Sequence, residues 1–161
     1  MAMPLRPATI DVRPEKGVST AVSAEERTAS PISVSTRVAS VMHRGVITCR
    51  PEFSGSTVAR IMAAHRIHSV VVTAPGSLPR VVTDAEIAGA LYAGTLGTST
   101  AEELAKPSPL VRPSDTLAYA IERMHECETT HAVVALRPLR PLGVVSVLDL
   151  AEAIYADGHM Q

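Results

Sequence analysis

The chain has 161 residues, 46% of them hydrophobic, with a formal net charge of −1. A near-neutral chain has no electrostatic footprint for non-specific nucleic-acid binding, so nucleic acid is not an expected partner. One Phe, three Tyr and no Trp leave a core to be built from aliphatic residues, and no apolar run reaches the about 18 residues of a membrane span. Residues 1–34 are rich in Pro, Ser, Thr, Ala and charge, without a sustained period. This stretch lacks the apolar core of a secretory signal and reads as a mobile tail with a short helix through Ala24–Arg27. An extended segment, Val46–Cys49, then ends just before Pro51. The spacing of Val58, Met62 and His65 predicts a helix with those residues on one face. A β-branched strand over Val70–Thr73, a Pro/Gly loop and a strand over Arg80–Val82 predict a hairpin, and a helix over Asp84–Tyr92 closes the series.

The same series then recurs. The segment 51-PEFSGSTVARIM-62 aligns with 113-PSDTLAYAIERM-124, and 69-SVVVT-73 with 131-HAVVA-135, each 62 residues on. The stretch 80-RVVTDAEIAGALY-92 aligns with 143-GVVSVLDLAEAIY-155 at an offset of 63. The second copy reads as an extended Leu110–Val111, a helix with Leu117, Ile121 and Met124 on one face, strands Ala132–Leu136 and Gly143–Val145, and a helix Val147–Tyr155. Ser114, Asp115 and Thr116 supply its N-cap candidates. Each β-α-β-β-α copy is about sixty residues, a size at which burial alone is marginal, so the copies are expected to pair.

The order of extended segment, Pro, Met-bearing helix, Val-rich hairpin and Gly-hydrophobic-hydrophobic-Ser/Thr-x-x-Asp before a helix resembles a CBS domain. Two in tandem resemble a Bateman module, over roughly residues 35–157. The resemblance implies an α/β fold of the α+β type, with two tandem β-α-β-β-α units, 35–95 and 96–157, related by a pseudo-two-fold axis, and a C-terminal tail over 158–161. It implies a stand-alone cytoplasmic module with no catalytic or DNA-binding domain in cis, a homodimer through its CBS units, regulating a partner that stays open. Its expected ligand is an adenosine compound (AMP, ADP, ATP or S-adenosylmethionine) held between the units as a regulatory ligand, with no cofactor.

By this resemblance Ser146 and Asp149 in the second unit would hold the ribose and its phosphate, and Thr83 and Glu86 occupy the matching positions in the first. A carboxylate accepts two hydrogen bonds from a vicinal diol, and a helix N-terminus offers N–H groups to phosphate. The base would lie against Ile47, Thr48, Val70 and Val71, or against Leu110, Val111, Ala132 and Val133. Thr83-x-x-Glu86 also reads as a capping box. That reading is preferred in the first unit, where Arg80 stands in place of the usual Gly and Glu86 in place of Asp. Arg80 would crowd the cleft or meet a phosphate. In the second unit ligand contact is preferred, because Asp149 is short for a reciprocal cap and Gly143 permits close backbone approach.

His131 is a candidate phosphate or base contact, and Arg137 and Arg140 are candidate polyphosphate contacts or solvated loop residues. His65, His68 and 125-HECETTH-131 do not match a structural zinc spacing, so no metal is expected. Met62 and Met124 read as core fillers, and Cys49 and Cys127 as reduced packing thiols. Nothing resembles an activated nucleophile or a phosphate loop, so an enzyme is not expected. The alternative function is a ligand-free dimerisation or scaffolding module.

Overall fold

Two copies of one aliphatic pattern build two sheets, and each sheet borrows its edge strand from the chain leading into the other copy. The computed structural model describes residues 36–158, so the tail 1–34 and the helix expected over Ala24–Arg27 lie outside the described residues. The first copy consists of β2 (Thr48–Cys49), α2 (Gly55–His65), β3 (Ser69–Val72), β4 (Arg80–Thr83) and α3 (Asp84–Ala93). The second consists of β6 (Leu110–Val111), α5 (Leu117–Glu126), β7 (His131–Arg137), β8 (Arg140–Ser146) and α6 (Val147–Gly158). Before each copy comes a short helix and a short strand: α1 (Val38–Val41) and β1 (His43–Arg44), then α4 (Ala101–Leu104) and β5 (Lys106–Pro107). The fold is mixed α/β, as the repeat predicts.

The sheets run β2-β3-β4-β5 and β1-β8-β7-β6. In each, a parallel pair (β2 with β3, β6 with β7) is joined through the helix between its strands, as a parallel connection requires. The hairpin registers repeat: Ser69 faces Thr83 and Val71 faces Val81, as His131 faces Ser146 and Val133 faces Val144. The leading segments were not legible as elements. Strand β1 pairs with β8, and α1 is held to the second copy by Val38 N–H to Asp115 O at 2.9 Å and Ala39 N–H to Pro113 O at 3.0 Å. Strand β5 pairs with β4, while Ala101, Ala105 and Leu104 pack into the first core. The chain therefore crosses between the halves at both places. The units drawn from sequence as 35–95 and 96–157 exchange their leading residues in space.

Local chemistry sets the helix bounds. The Ser54 hydroxyl accepts from Thr57 N at 3.2 Å to open α2, and Arg66 in the left-handed region closes it. Of the three N-cap candidates, Thr116 caps α5, accepting from Tyr119 N at 3.2 Å. Helix α2 buries Val58 and Met62 and leaves His65 exposed. Helix α5 buries Leu117, Ala120 and Met124, with Ile121 41% exposed. Each expected face thus lost one member: His65 in the last turn of α2 is polar enough to stay in water, and in α5 the i, i+3, i+7 line passes through Ala120.

Three cores result. One joins Val38 to Val111, Leu117, Met124 and Val145; one joins Cys49 to Val58, Met62, Val70 and Val82. The third joins Val71 and Val81 of the first copy to Val133 of the second, flanked by Val46, Leu110 and Val144. This third cluster is the seam between the halves. Met62 and Met124 fill cores as expected, and burial pushes the Cys49 thiol up to about 11. Cys127 is exposed at the end of α5, which corrects its reading as a packing thiol. Among the described residues no helix is long and apolar enough to cross a membrane.

Candidate functional site

Beside the seam lies a cleft of about 320 Å³. One wall comes from His43–Ile47 and from the turn Arg66–Ser69 with Val71. The other comes from β7, β8 and the start of α6, through His131, Val144, Ser146, Leu148 and Asp149. Val71, Val144 and Ile47 make the walls apolar, and Arg44, Arg66, His43 and His68 set basic groups along the lining. Asp149 is the one carboxylate in that lining, and its side chain is only 4% exposed.

Asp149 is held at both oxygens. Its Oδ2 accepts from Ser146 N at 2.6 Å and from the Ser146 hydroxyl at 2.8 Å, while Ser146 Oγ accepts from Asp149 N at 3.3 Å. This reciprocal cap corrects the expectation that Asp149 is too short to make one. The backbone of Ser146 comes within reach because β8 runs straight into α6. Oδ1 meets His43 Nε2 at 2.7 Å, and His43 is 77% exposed. Gly143 also proves to serve a neighbouring strand: a Cβ there would lie 2.3 Å from the His43 carbonyl oxygen, so the close approach is that of β1.

The first half repeats this arrangement. Glu86 Oε2 accepts from Thr83 N at 2.9 Å and from the Thr83 hydroxyl, and Thr83 Oγ1 accepts from Ala85 N at 3.3 Å. The capping box preferred there is present. Oε1 of Glu86 meets Lys106 Nζ at 2.9 Å. Burial alone would raise the Glu86 carboxyl, but hydrogen bonds from Thr83 and Lys106 and the Lys106 charge outweigh it and hold it below the usual carboxylate range. Arg80 donates to the carbonyls of Glu102 and Ala105 at the end of α4. Its guanidinium thus serves helix carbonyls, which corrects the choice between crowding the cleft and meeting a phosphate.

His131 is buried on β7, with Nδ1 2.9 Å from the Thr130 hydroxyl. Burial pulls its pKa below the ordinary imidazole range, against the opposing pull of Asp84, Asp149 and Glu86. The ring is therefore held neutral, with Nε2 as its remaining polar atom. His68 Nδ1 lies 3.2 Å from Asp84 Oδ2.

Of the candidate residues, Ile47, Val71, His131, Ser146 and Asp149 line this cleft together. Val70 faces the first core, Ala132 the second, and Val133 lies fully buried in the seam. Leu110 and Val111 border a different hollow with Arg112 and Tyr119. Thr48 is exposed on β2, and Thr83, Glu86 and Arg80 serve the caps just described. Arg137 and Arg140 are exposed and face one another across the β7–β8 hairpin. Among the described residues no three His, Cys, Asp or Glu side chains gather as a metal site. Sequence reasoning missed His43, Arg44, Arg66 and His68 as lining residues. His43 and Lys106 stand 63 apart, as do Glu86 and Asp149, so the repeat offset already paired them.

The family model of the CBS domain matches residues 38–93 and again 101–156. No curated protein sequence matches significantly. Solved structures do. Hypoxic Response Protein I, with two coordinated zinc ions, is 23% identical at a TM-score of 0.61, over 73% of this chain and 98% of that one. The CBS domain pair of MJ0100, in complex with 5′-methylthioadenosine and S-adenosyl-L-methionine, is 20% identical at a TM-score of 0.68, over 76% and 98%. The CBS domain protein PAE2072 from Pyrobaculum aerophilum, complexed with AMP, is 24% identical at a TM-score of 0.66, over 76% and 97%.

Proposed function

The chain belongs to the CBS domain family, with two copies in tandem, and on that premise we propose that it is a regulatory module sensing an adenosine-containing ligand in the cleft between its halves. The observation that carries this reading is a buried carboxylate, Asp149, set in an apolar-walled cleft among basic groups. Ribose hydroxyls would donate to Asp149, and the base would lie against Ile47, Val71 and Val144. His131, held neutral, would offer Nε2. Arg44 and Arg66 favour a phosphorylated ligand such as AMP, ADP or ATP over S-adenosylmethionine, whose sulfonium is itself cationic. At about 320 Å³ the cleft lies near the lower end of small-molecule sites and suits one small nucleotide. Structures with AMP and with S-adenosylmethionine in relatives of this fold support the ligand class. Signalling would follow from a ligand that binds one arrangement of the two halves better than another. Two free cysteines suit a reducing, cytoplasmic setting.

Calorimetric titration of the intact chain with AMP, ATP and S-adenosylmethionine tests this. Asp149→Asn is expected to weaken AMP binding about tenfold, the scale of one charged hydrogen bond. Unchanged affinity in that variant removes Asp149 from the site, and no binding of any compound at millimolar concentration removes the sensing role.

A second reading, a ligand-free dimerisation module, is favoured by one observation: both Asp149 oxygens are already satisfied within the chain. Either reading accommodates a homodimer. Exposed Ile121 and Val147 flank Met124 and Leu150 on the α5/α6 face, and Ala59, Met62 and Ile87 form the equivalent α2/α3 face. Ile121→Glu is expected to shift the mass measured by light scattering towards the monomer, and an unchanged mass would place any dimer elsewhere.

A further inference from the structure

The two carboxylates at the strand-to-helix turns share a feature beyond helix capping. In each half one oxygen is spent on the cap and the other is covered by a side chain from the crossing strand. His43 on β1 covers Asp149 Oδ1 at 2.7 Å, and Lys106 on β5 covers Glu86 Oε1 at 2.9 Å. Those strands hold equivalent places, His43 opposite Val144 on β8 and Lys106 opposite Val81 on β4. The cover is therefore part of the repeat and not an accident of one surface.

We propose that His43 is a latch on the cleft: it occupies the ligand-facing oxygen of Asp149 and must leave before a ribose diol can bind there. This rests on the reading of the cleft given above. The exposures fit a latch. Asp149 is 4% exposed beneath an imidazole that is 77% exposed, so the ring stands between the carboxylate and solvent and swings into water at little cost. A single imidazole contact with one exposed partner contributes modestly, whereas a diol brings two O–H donors to a shielded carboxylate. Because His43 lies on β1, at the edge of the second sheet and on the chain that crosses into the first half, ligand entry acts directly on that crossing strand.

The test is a double-mutant cycle read by AMP titration. His43→Ala is expected to tighten AMP binding about three- to fivefold, the worth of one contact whose histidine partner is exposed. In an Asp149→Asn background the same change is expected to have no effect, because the weakened acceptor no longer holds the latch. With 2′-deoxy-AMP, which lacks one of the two donors, the gain from His43→Ala should shrink. A thermal melt within a few degrees of the parent establishes that His43→Ala folds. Wild-type binding with His43→Ala equal or weaker overturns the latch and leaves the sensing role standing, since His43 would then be a bystander or a direct contact. Binding by neither protein overturns both. Binding by His43→Ala alone supports the latch.

Discussion

Gly143→Ala probes how closely the crossing strand is tied to the second half. Gly143 is buried on β8 opposite Arg44 of β1. An added Cβ would lie 2.3 Å from the His43 carbonyl oxygen, 3.3 Å from its carbonyl carbon and 3.2 Å from Met42 Cε. The methionine terminus can rotate away, but the peptide oxygen cannot move without lifting β1 from β8. Overpacking of this kind costs about 1–3 kcal/mol, which for a body of this size lowers Tm by about 4–12 °C. The residues displaced, His43–Ile47, line one wall of the cleft, so AMP affinity should fall as well. Gly89→Ala is the control. Gly89 lies inside α3, where beyond the helix's own backbone and the adjoining residues no atom comes within 4 Å of the added Cβ, and replacing a helical glycine is expected to stabilise by about 0.5–1 kcal/mol. Urea or thermal unfolding of both variants gives the comparison. Gly143→Ala as stable as the parent, with Gly89→Ala no better, would refute the packing of β1 against β8.

Thr83→Ala removes the capping hydroxyl of α3 and should cost about 1 kcal/mol without changing AMP affinity; a large loss of affinity would place the ligand in the first half instead. Acid should weaken the fold in two stages. His131 is held below its ordinary pKa, so its contribution is fully present above the ordinary imidazole value and is lost as pH falls through the lowered folded value. Glu86 is likewise held below its ordinary value, so its contribution disappears only further down, through the lowered carboxylate range. His131→Asn should flatten the stability profile just below the ordinary imidazole value while leaving the lower stage in place. An unchanged slope there would contradict the buried neutral ring.

The duplication, the hairpins and the acidic turn were legible because each rests on a local pattern: a repeated offset, β-branched runs, a hydroxyl three residues before a carboxylate. The crossing strands were not, since two residues such as His43–Arg44 carry no period and gain their place only from a partner about a hundred residues away. Val70 and Val71, or Ala132 and Val133, could not both face one cleft, because neighbouring strand residues point to opposite faces. Alternation alone would have separated Val71 on the cleft from Val70 in the core. Leu110 and Val111 look like equivalents of Val46–Cys49, yet their hollow opens elsewhere, which depends on how the halves lean together rather than on either copy.

The proposed sensing role requires one small nucleotide between two repeats, held by Asp149 once His43 has withdrawn. Crystals of the chain grown with saturating AMP test this most directly. The account predicts the ribose on Asp149, the base between Ile47, Val71 and Val144, and the His43 ring turned out to solvent. AMP bound away from that carboxylate, or a cleft left empty at saturation with His43 still on Asp149, would contradict it.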